Sequence, residues 1–229
     1  MPYQLTDTIE FPDPAYAPPS GILAVGGDLK PERLLFAYEQ GIFPWYSDDE
    51  PIIWWSPDPR FVLFPENLKV SKSMRQVLRR ETFKITYDEV FPAVIKACAK
   101  VPRDGQSGTW ITDEMVEAYI HLHKLGYAHS VEAWQHGKLV GGLYGISLGN
   151  AFFGESMFAK ASNASKAAFI TLVQALSSQG FEMIDCQMPT DHLASLGAET
   201  ISRDQFLELL PGYVENETLQ GDWGDLLKT

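Results

Sequence analysis

Cysteine is scarce in this chain. Only Cys98 and Cys186 occur among its 229 residues, too few for a disulfide framework and without metal-type pairing. Free thiols in a reducing compartment are expected, and the sequons at Asn163 and Asn216 carry no meaning there. Long apolar runs are also missing, and no stretch reaches the roughly 20 residues of a membrane span. The start, Met1-Pro2-Tyr3-Gln4, lacks the basic and then apolar pattern of a secretory signal. A cytoplasmic protein with no membrane partner is expected. Positive charge is in deficit: 18 Lys and Arg against 30 Asp and Glu leave a net charge of −12. Phosphate repulsion then opposes generic nucleic-acid binding unless basic groups gather locally, and a cationic partner is favoured. The five histidines form no ligand-spaced set. His121 and His123 point apart on one helix and His129 follows in a strand. No metal and no cofactor are expected.

What is present is globular in composition, with 45% hydrophobic residues, enough for a full core. Residues 1–60 are rich in Pro, Gly and aromatics. One helix is predicted there, roughly Lys30 to Gln40, with Asp28 as cap, Pro31 in the first turn and Gly41 as left-handed stop. A segment this poor in regular structure must pack on something larger. It reads as a small N-terminal lobe against a domain over residues 61–229. Trp45, Trp54 and Trp55 can form its core, or offer a surface on which a planar ring stacks.

The domain opens with a strand from Phe61 to Phe64. Ser71 then caps a helix on which Lys72, Arg75 and Arg79 recur on one face. Six of the chain's 18 basic residues fall between Lys69 and Lys84, which marks a phosphate-binding edge in an otherwise acidic protein. Helices follow from Phe91 to Lys100 and from Thr112 to about Leu125. Strands Ala128–Trp134, Lys138–Ile146 and Asn150–Phe158 form a meander. A helix from Asn163 to Gln179, a buried strand from Phe181 to Gln187, a short turn from Asp191, a strand at Glu199–Ser202 and a helix at Asp204–Leu210 complete the order. The acidic tail, Glu215 to Asp225, is expected to be loosely held.

The middle of the meander carries the chemistry. Glycines Gly141, Gly142 and Gly145 weaken a strand and mark close approach by a ligand or another backbone. In the returning strand Glu155 stands among apolar neighbours, flanked by Gly154 and Met157. Burying such a carboxylate is costly unless something pairs with it. Period-2 alternation puts Asp185 and Gln187 on one strand face.

The order β, α, α, meander, α, β, α resembles an acyltransferase domain of the GNAT type, in an α+β fold with a mixed sheet. The glycine-rich pyrophosphate loop of that fold is absent from Phe158–Lys166, which argues against acetyl-CoA. More specific strings run across nearly the whole chain: Gly26-Gly27-Asp28-Leu29, Gly41-Ile42-Phe43-Pro44-Trp45, Trp54-Trp55-Ser56-Pro57-Asp58-Pro59-Arg60, Gly108-Thr109-Trp110-Ile111, His129-Ser130-Val131-Glu132, Phe153-Gly154-Glu155-Ser156-Met157-Phe158 and Ile184-Asp185-Cys186-Gln187. Together they are similar to the leucyl/phenylalanyl-tRNA–protein transferase family.

That resemblance implies transfer of Leu or Phe, and Met to a lesser extent, from aminoacyl-tRNA to proteins beginning with Arg or Lys, which marks them for N-degron proteolysis. It implies a proton-handling pair at Asp185 and Gln187, and a side-chain pocket around Leu143, Phe152, Met157 and Ile184. Substrate contacts are implied at Gly154, and adenosine contacts at Trp45 and Trp110. The reaction would be aminolysis of an ester. The α-amine has a reference pKa of about 7.7–8.0, and positioning of two substrates supplies much of the acceleration. Asp185 would take the amine proton or orient Gln187 towards it. Glu155 would hold the positive acceptor terminus or its Arg or Lys side chain. Lys72, Arg75 and Arg79 would hold the tRNA acceptor stem. A monomer is expected.

Overall fold

Two sheets meet along one apolar core in the computed structural model, which describes residues 2–101 and 111–227. The first contains β1 (Tyr3–Leu5), β2 (Ile22–Gly26), β3 (Phe43–Pro44) and β4 (Ile53–Trp55) in the order β1-β2-β4-β3, with helix α1 (Pro31–Glu39) between β2 and β3. Proline and glycine cut this region into short pieces. α1 starts at Pro31 as expected, although the cap position is Lys30, whose N–H is held by Asp28 Oδ1 at 3.0 Å. Gly41 then takes φ 72°, the left-handed stop that glycine tolerates.

The second sheet holds β5 (Arg60–Leu63), β6 (Lys84–Tyr87), β7 (Ala128–Gln135), β8 (Lys138–Leu148), β9 (Ala151–Ala159), β10 (Met183–Gln187) and β11 (Glu199–Ile201). Their order is β11-β5-β10-β9-β8-β7-β6. Helices α2 (Lys72–Arg79), α3 (Phe91–Ala99), α4 (Asp113–Lys124), α5 (Ala164–Ser178), α6 (Asp191–Ala194), α7 (Arg203–Val214) and α8 (Trp223–Leu226) flank it. In this second sheet every pairing is antiparallel except β9 with β10, the strands joined through the crossover helix α5. The α+β class with a mixed sheet is the one expected, and the meander and the helices up to α7 follow in the expected order, but the edge strand β6 and the short helix α8 were not anticipated. No described helix is long and apolar enough to cross a membrane.

The core divides by sheet face. One cluster runs from Leu23, Tyr38 and Trp54 in the first sixty residues to Phe91, Tyr119, Phe153 and Phe206, so both sheets share it. The other lies under α5 and joins Leu143, Phe152, Phe169, Ile184 and Trp223. The glycines of β8 belong to this packing. A Cβ on Gly141 would lie 2.6 Å from Ala164 Cβ and 3.0 Å from the Ala164 backbone, and one on Gly145 would lie 2.2 Å from the Phe153 carbonyl oxygen. Backbone, not ligand, makes the close approach.

Two expectations fail at the carboxyl end. α7 runs past Pro211 to Val214, because the Asn150 N–H is bound by the Tyr213 carbonyl at 2.9 Å and holds that last turn. The acidic tail is not loose in the part described. Trp223 is fully buried, stacks on His129 at 3.8 Å and gives its backbone N–H to Asp88 Oδ2 at 2.9 Å. One large aromatic anchors a polar segment, which a composition argument overlooks.

Replacing Gly141 with Ala should push the first turn of α5 off β8 and destabilise the protein by about 1–3 kcal/mol, the usual cost of overpacking. Urea unfolding of Gly141→Ala measures this, and an unchanged midpoint would remove the packing explanation of the β8 glycines.

Candidate active site

Two bulges bring the site together. In the β8–β9 ladder Tyr144 faces Ser156 and Gly145 faces Gly154, so Glu155 is the extra residue on β9. In the β10–β5 ladder Asp185 faces Val62 and Gln187 faces Phe61, so Cys186 is extra, and Gln187 has φ 61°. Bulges re-aim side chains, and they recur beside active sites. Here they turn Glu155 and Gln187 towards each other, and Gln187 Nε2 donates to Glu155 Oε1 at 2.8 Å. The parallel pairing of β9 with β10 extends only to Phe153 opposite Asp185. Beyond that point the strands carry a cavity of about 520 Å³.

The cavity walls are apolar. Leu143, Phe152, Gly154, Met157 and Ile184, all implied by the family resemblance, line it, and so does the half-buried Trp45. Phe43, Phe169, Cys186 and Leu193 complete much of the wall and were not anticipated. Periodicity alone cannot find them, since Phe43 arrives from the other sheet and Phe169 from the buried face of α5. Trp110 lies outside the described residues. Polar groups in the wall include Glu155, Gln187, Ser165 and His192.

Glu155 is 8% exposed and is held from three elements. Tyr38 of α1 donates to Oε1 at 2.6 Å, Tyr119 of α4 donates to Oε2 at 3.1 Å, and Gln187 of β10 completes the set. Burial pushes its pKa up to about 7, against the opposing pull of these three donors. Neither tyrosine carried a sequence signal beyond its place on a helix's buried face. Burial, with Glu155 alongside, also lifts both phenols well above their ordinary range.

Asp185 departs from expectation. It does not line the cavity, because the bulge at Cys186 breaks the alternation that would have put it beside Gln187. Both its oxygens instead meet Arg60, with Oδ1 at 2.9 Å from Nε and Oδ2 at 2.6 Å from Nη2. Oδ1 also accepts the Gln187 backbone N–H at 2.9 Å. These contacts tie the Gln187 backbone to the Arg60–Asp185 pair. Lys72, Arg75 and Arg79 lie on α2 as expected, exposed, and none forms an ion pair with a described residue.

A largely apolar, open-mouthed cavity with a near-neutral carboxyl and an amide in its wall can seat an apolar side chain and handle one proton, which is the equipment of a transferase. The family model for leucyl/phenylalanyl-tRNA protein transferase matches residues 62–211, and that for its N-terminal domain matches residues 27–58. The leucyl/phenylalanyl-tRNA–protein transferase of Desulfatibacillum aliphaticivorans is 58% identical over 221 residues, covering 96% of this chain and 95% of its own. That of Myxococcus xanthus strain DK1622 is 56% identical over 213 residues, covering 93% and 91%. Among solved structures, a ribosomal-protein-alanine N-acetyltransferase from Brucella melitensis biovar Abortus 2308 overlaps 50% of this chain and 85% of its own, at 16% identity and a TM-score of 0.36. The chain belongs to the leucyl/phenylalanyl-tRNA protein transferase family, and it is an aminoacyltransferase.

Asp185→Ala should leave Arg60 buried and unpaired, at a cost of about 3–5 kcal/mol in stability. Thermal unfolding of the variant checks this; loss of turnover with an unchanged unfolding temperature would instead return Asp185 to proton transfer. Glu155 gives a second expectation. Its folded pKa of about 7 stands above the ordinary 4.5, so the folded protein binds the proton more tightly. Stability is fully present below the ordinary value and falls as pH rises through about 7. Glu155→Gln should flatten that slope and be the more stable protein at alkaline pH, by up to roughly 3 kcal/mol. Parallel unfolding curves across this pH range would contradict a raised pKa.

Proposed function

We propose that the protein moves Leu or Phe, and Met less well, from aminoacyl-tRNA to the α-amine of proteins that begin with Arg or Lys. The new peptide bond forms by aminolysis of the ester and marks the product for N-degron proteolysis. The observation that carries this reading is the apolar cavity with Glu155 and Gln187 in its wall. An apolar side chain of the donor would occupy the part near Leu143, Phe152, Met157 and Ile184, with the ester at Gly154 and the terminal base against Trp45. Trp110 is proposed as a second contact for that base. Such a pocket separates Leu and Phe from polar side chains, but β-branched relatives less strongly, since one methylene is worth only about 1–3 kcal/mol.

The remaining features support the same division of labour. Glu155 receives the cationic acceptor terminus, and Gln187, fixed through Asp185, orients the amine. The net charge of −12 favours a cationic acceptor. The stripe Lys72–Arg75–Arg79, unpaired among the described residues, holds acceptor-stem phosphates, contacts that position the tRNA and carry little sequence information. Residues 1–60 act as a small lobe that supplies Trp45 to a catalytic domain over residues 61–229, and the enzyme works as a monomer in the cytoplasm.

The test uses purified protein, Phe-tRNA labelled in the amino acid, and one model protein made with N-terminal Arg or with Ala. Label should pass to the Arg form alone, without coenzyme A or ATP. Binding of Phe-tRNA with no transfer would make the protein a binder of charged tRNA and end this reading. In the same assay, joint replacement of Lys72, Arg75 and Arg79 by Ala should raise KM for charged tRNA and lower the log–log salt slope by up to about 3. An unchanged salt slope would take the stripe out of the tRNA interface.

A further inference from the structure

Three oxygen-bearing groups behind the cavity wall touch pairwise. Tyr38 Oη meets Glu155 Oε1, Tyr119 Oη meets Glu155 Oε2, and the two phenol oxygens meet each other. Each phenol brings one proton. Gln187 adds an amide N–H to Oε1 but no proton that it can give up. With Glu155 as a carboxylate, both phenol protons point at it, and the phenol oxygens face each other with lone pairs alone. With Glu155 protonated, Oε2–H donates to Tyr119, Tyr119 donates to Tyr38, and Tyr38 donates back to Oε1. Every contact then has its proton, and the ring closes only in that form.

We propose that Tyr38 and Tyr119 are positioning residues that make Glu155 the acceptor of the α-amine's proton, because that proton completes the ring. The substrate in this inference is the one given by the proposed function. An acceptor ammonium passes one proton to Glu155. The freed nitrogen pair attacks the ester carbonyl, the N–C bond forms and the C–O bond to ribose breaks. A second N–H proton ends on the ribose oxygen, the third stays on the amide, and Glu155 returns its proton to water.

Burial sets the proton affinity of Glu155, while the phenols' hydrogen bonds to its charged form pull the other way. A carboxyl at about 7 lies within roughly one unit of an ordinary α-amine, so the transfer is nearly balanced. The titratable groups around the ring are Tyr144 from β8, which acts on Tyr119, and Asp185 and Cys186 from β10. Asp185 is neutralised by Arg60 of β5. Burial and the adjacent charge of Asp185 hold the Cys186 thiol up, so it stays neutral and does not compete for the proton.

A simple donor and a ring member predict opposite results. If each phenol only donates to a carboxylate, removing it raises the pKa of Glu155. If the phenols close a ring around the protonated form, removing either lowers it. Infrared titration of the unliganded protein reads this directly, with the Glu155 band assigned by its loss in Glu155→Gln. The carboxylic-acid band should be present at about pH 6, where an ordinary Glu is ionised. Its midpoint should move down in both Tyr38→Phe and Tyr119→Phe. Turnover at neutral pH should fall about tenfold in each while KM for charged tRNA holds, and the double variant should lie within about twofold of either single, as members of one unit do. A midpoint that rises or stands still overturns the ring. Because either hydroxyl opens it, one variant with an intact near-ultraviolet dichroism spectrum suffices. Wild-type protein that titrates as described but transfers nothing would defeat the proposed function and leave the ring standing; transfer with a raised midpoint would do the reverse.

Discussion

Two charges with almost no exposure, Arg60 at 1% and Asp185 at 0%, face each other through a two-pronged contact. Such a pair is expensive to desolvate and holds together only when its remaining donors and acceptors are met. Arg60 meets this by giving Nη1–H to the Gly41 carbonyl at 2.9 Å and by lying between the rings of Phe43 and Phe206. Asp185 meets it by accepting the Gln187 N–H. One contact thus joins the turn after α1, the start of β5, helix α7 and the strand end that presents Gln187. Two other buried arginines act similarly on irregular backbone. Arg33 reaches the carbonyls of Thr6 and Thr8, and Arg203 reaches those of Ser56 and Ala17. A segment broken by proline and glycine, with few ladder hydrogen bonds of its own, is held by guanidinium forks.

Against this rigid frame, Glu155 is the group left under electrostatic tension. Among the described residues its neighbours donate hydrogen bonds but none brings a positive charge, so burial dominates and the carboxyl titrates near neutrality. Groups displaced in this way concentrate at functional sites, where the stability given up serves the chemistry. Burial alone does not make a site, as Glu132 illustrates. It is also fully buried and its pKa is also raised, yet the hydroxyls of Ser130 and Thr86 take its two oxygens. It does not line the apolar cavity. Its neighbourhood is structural: Asp88 binds His129, the Ser130 N–H and the Trp223 N–H, and so fastens α8 to β7 and β6.

Much of this was legible in the residues. Alternation and turn chemistry located the meander, and Pro31, Ser71, Thr112 and Gly41 marked helix ends because they satisfy or end a helix through local backbone geometry. The carboxylate Glu155 could be picked out because its type conflicts with an apolar strand, whereas Leu143, Phe152, Met157 and Ile184 were implied by the family resemblance. The stripe on α2 was readable because helical spacing by itself sets which residues share a face.

What the residues could not supply were the relations that depend on a partner far along the chain. Tyr38 and Tyr119 look like ordinary buried helix residues until α1 and α4 converge on Glu155. Asp185 looked like a cavity-facing acid because a strand alternates with period two. A single extra residue at Cys186 reverses that facing, and only pairing with β5 produces the bulge. The sequence by itself determined most of the element order and the charge of the α2 face, which follow from short-range geometry and side-chain type, while the pocket residues came through the family resemblance. Tertiary structure decided which carboxylate is neutralised by an arginine and which is left near-neutral in the cavity wall, because desolvation and pairing are properties of the assembled neighbourhood.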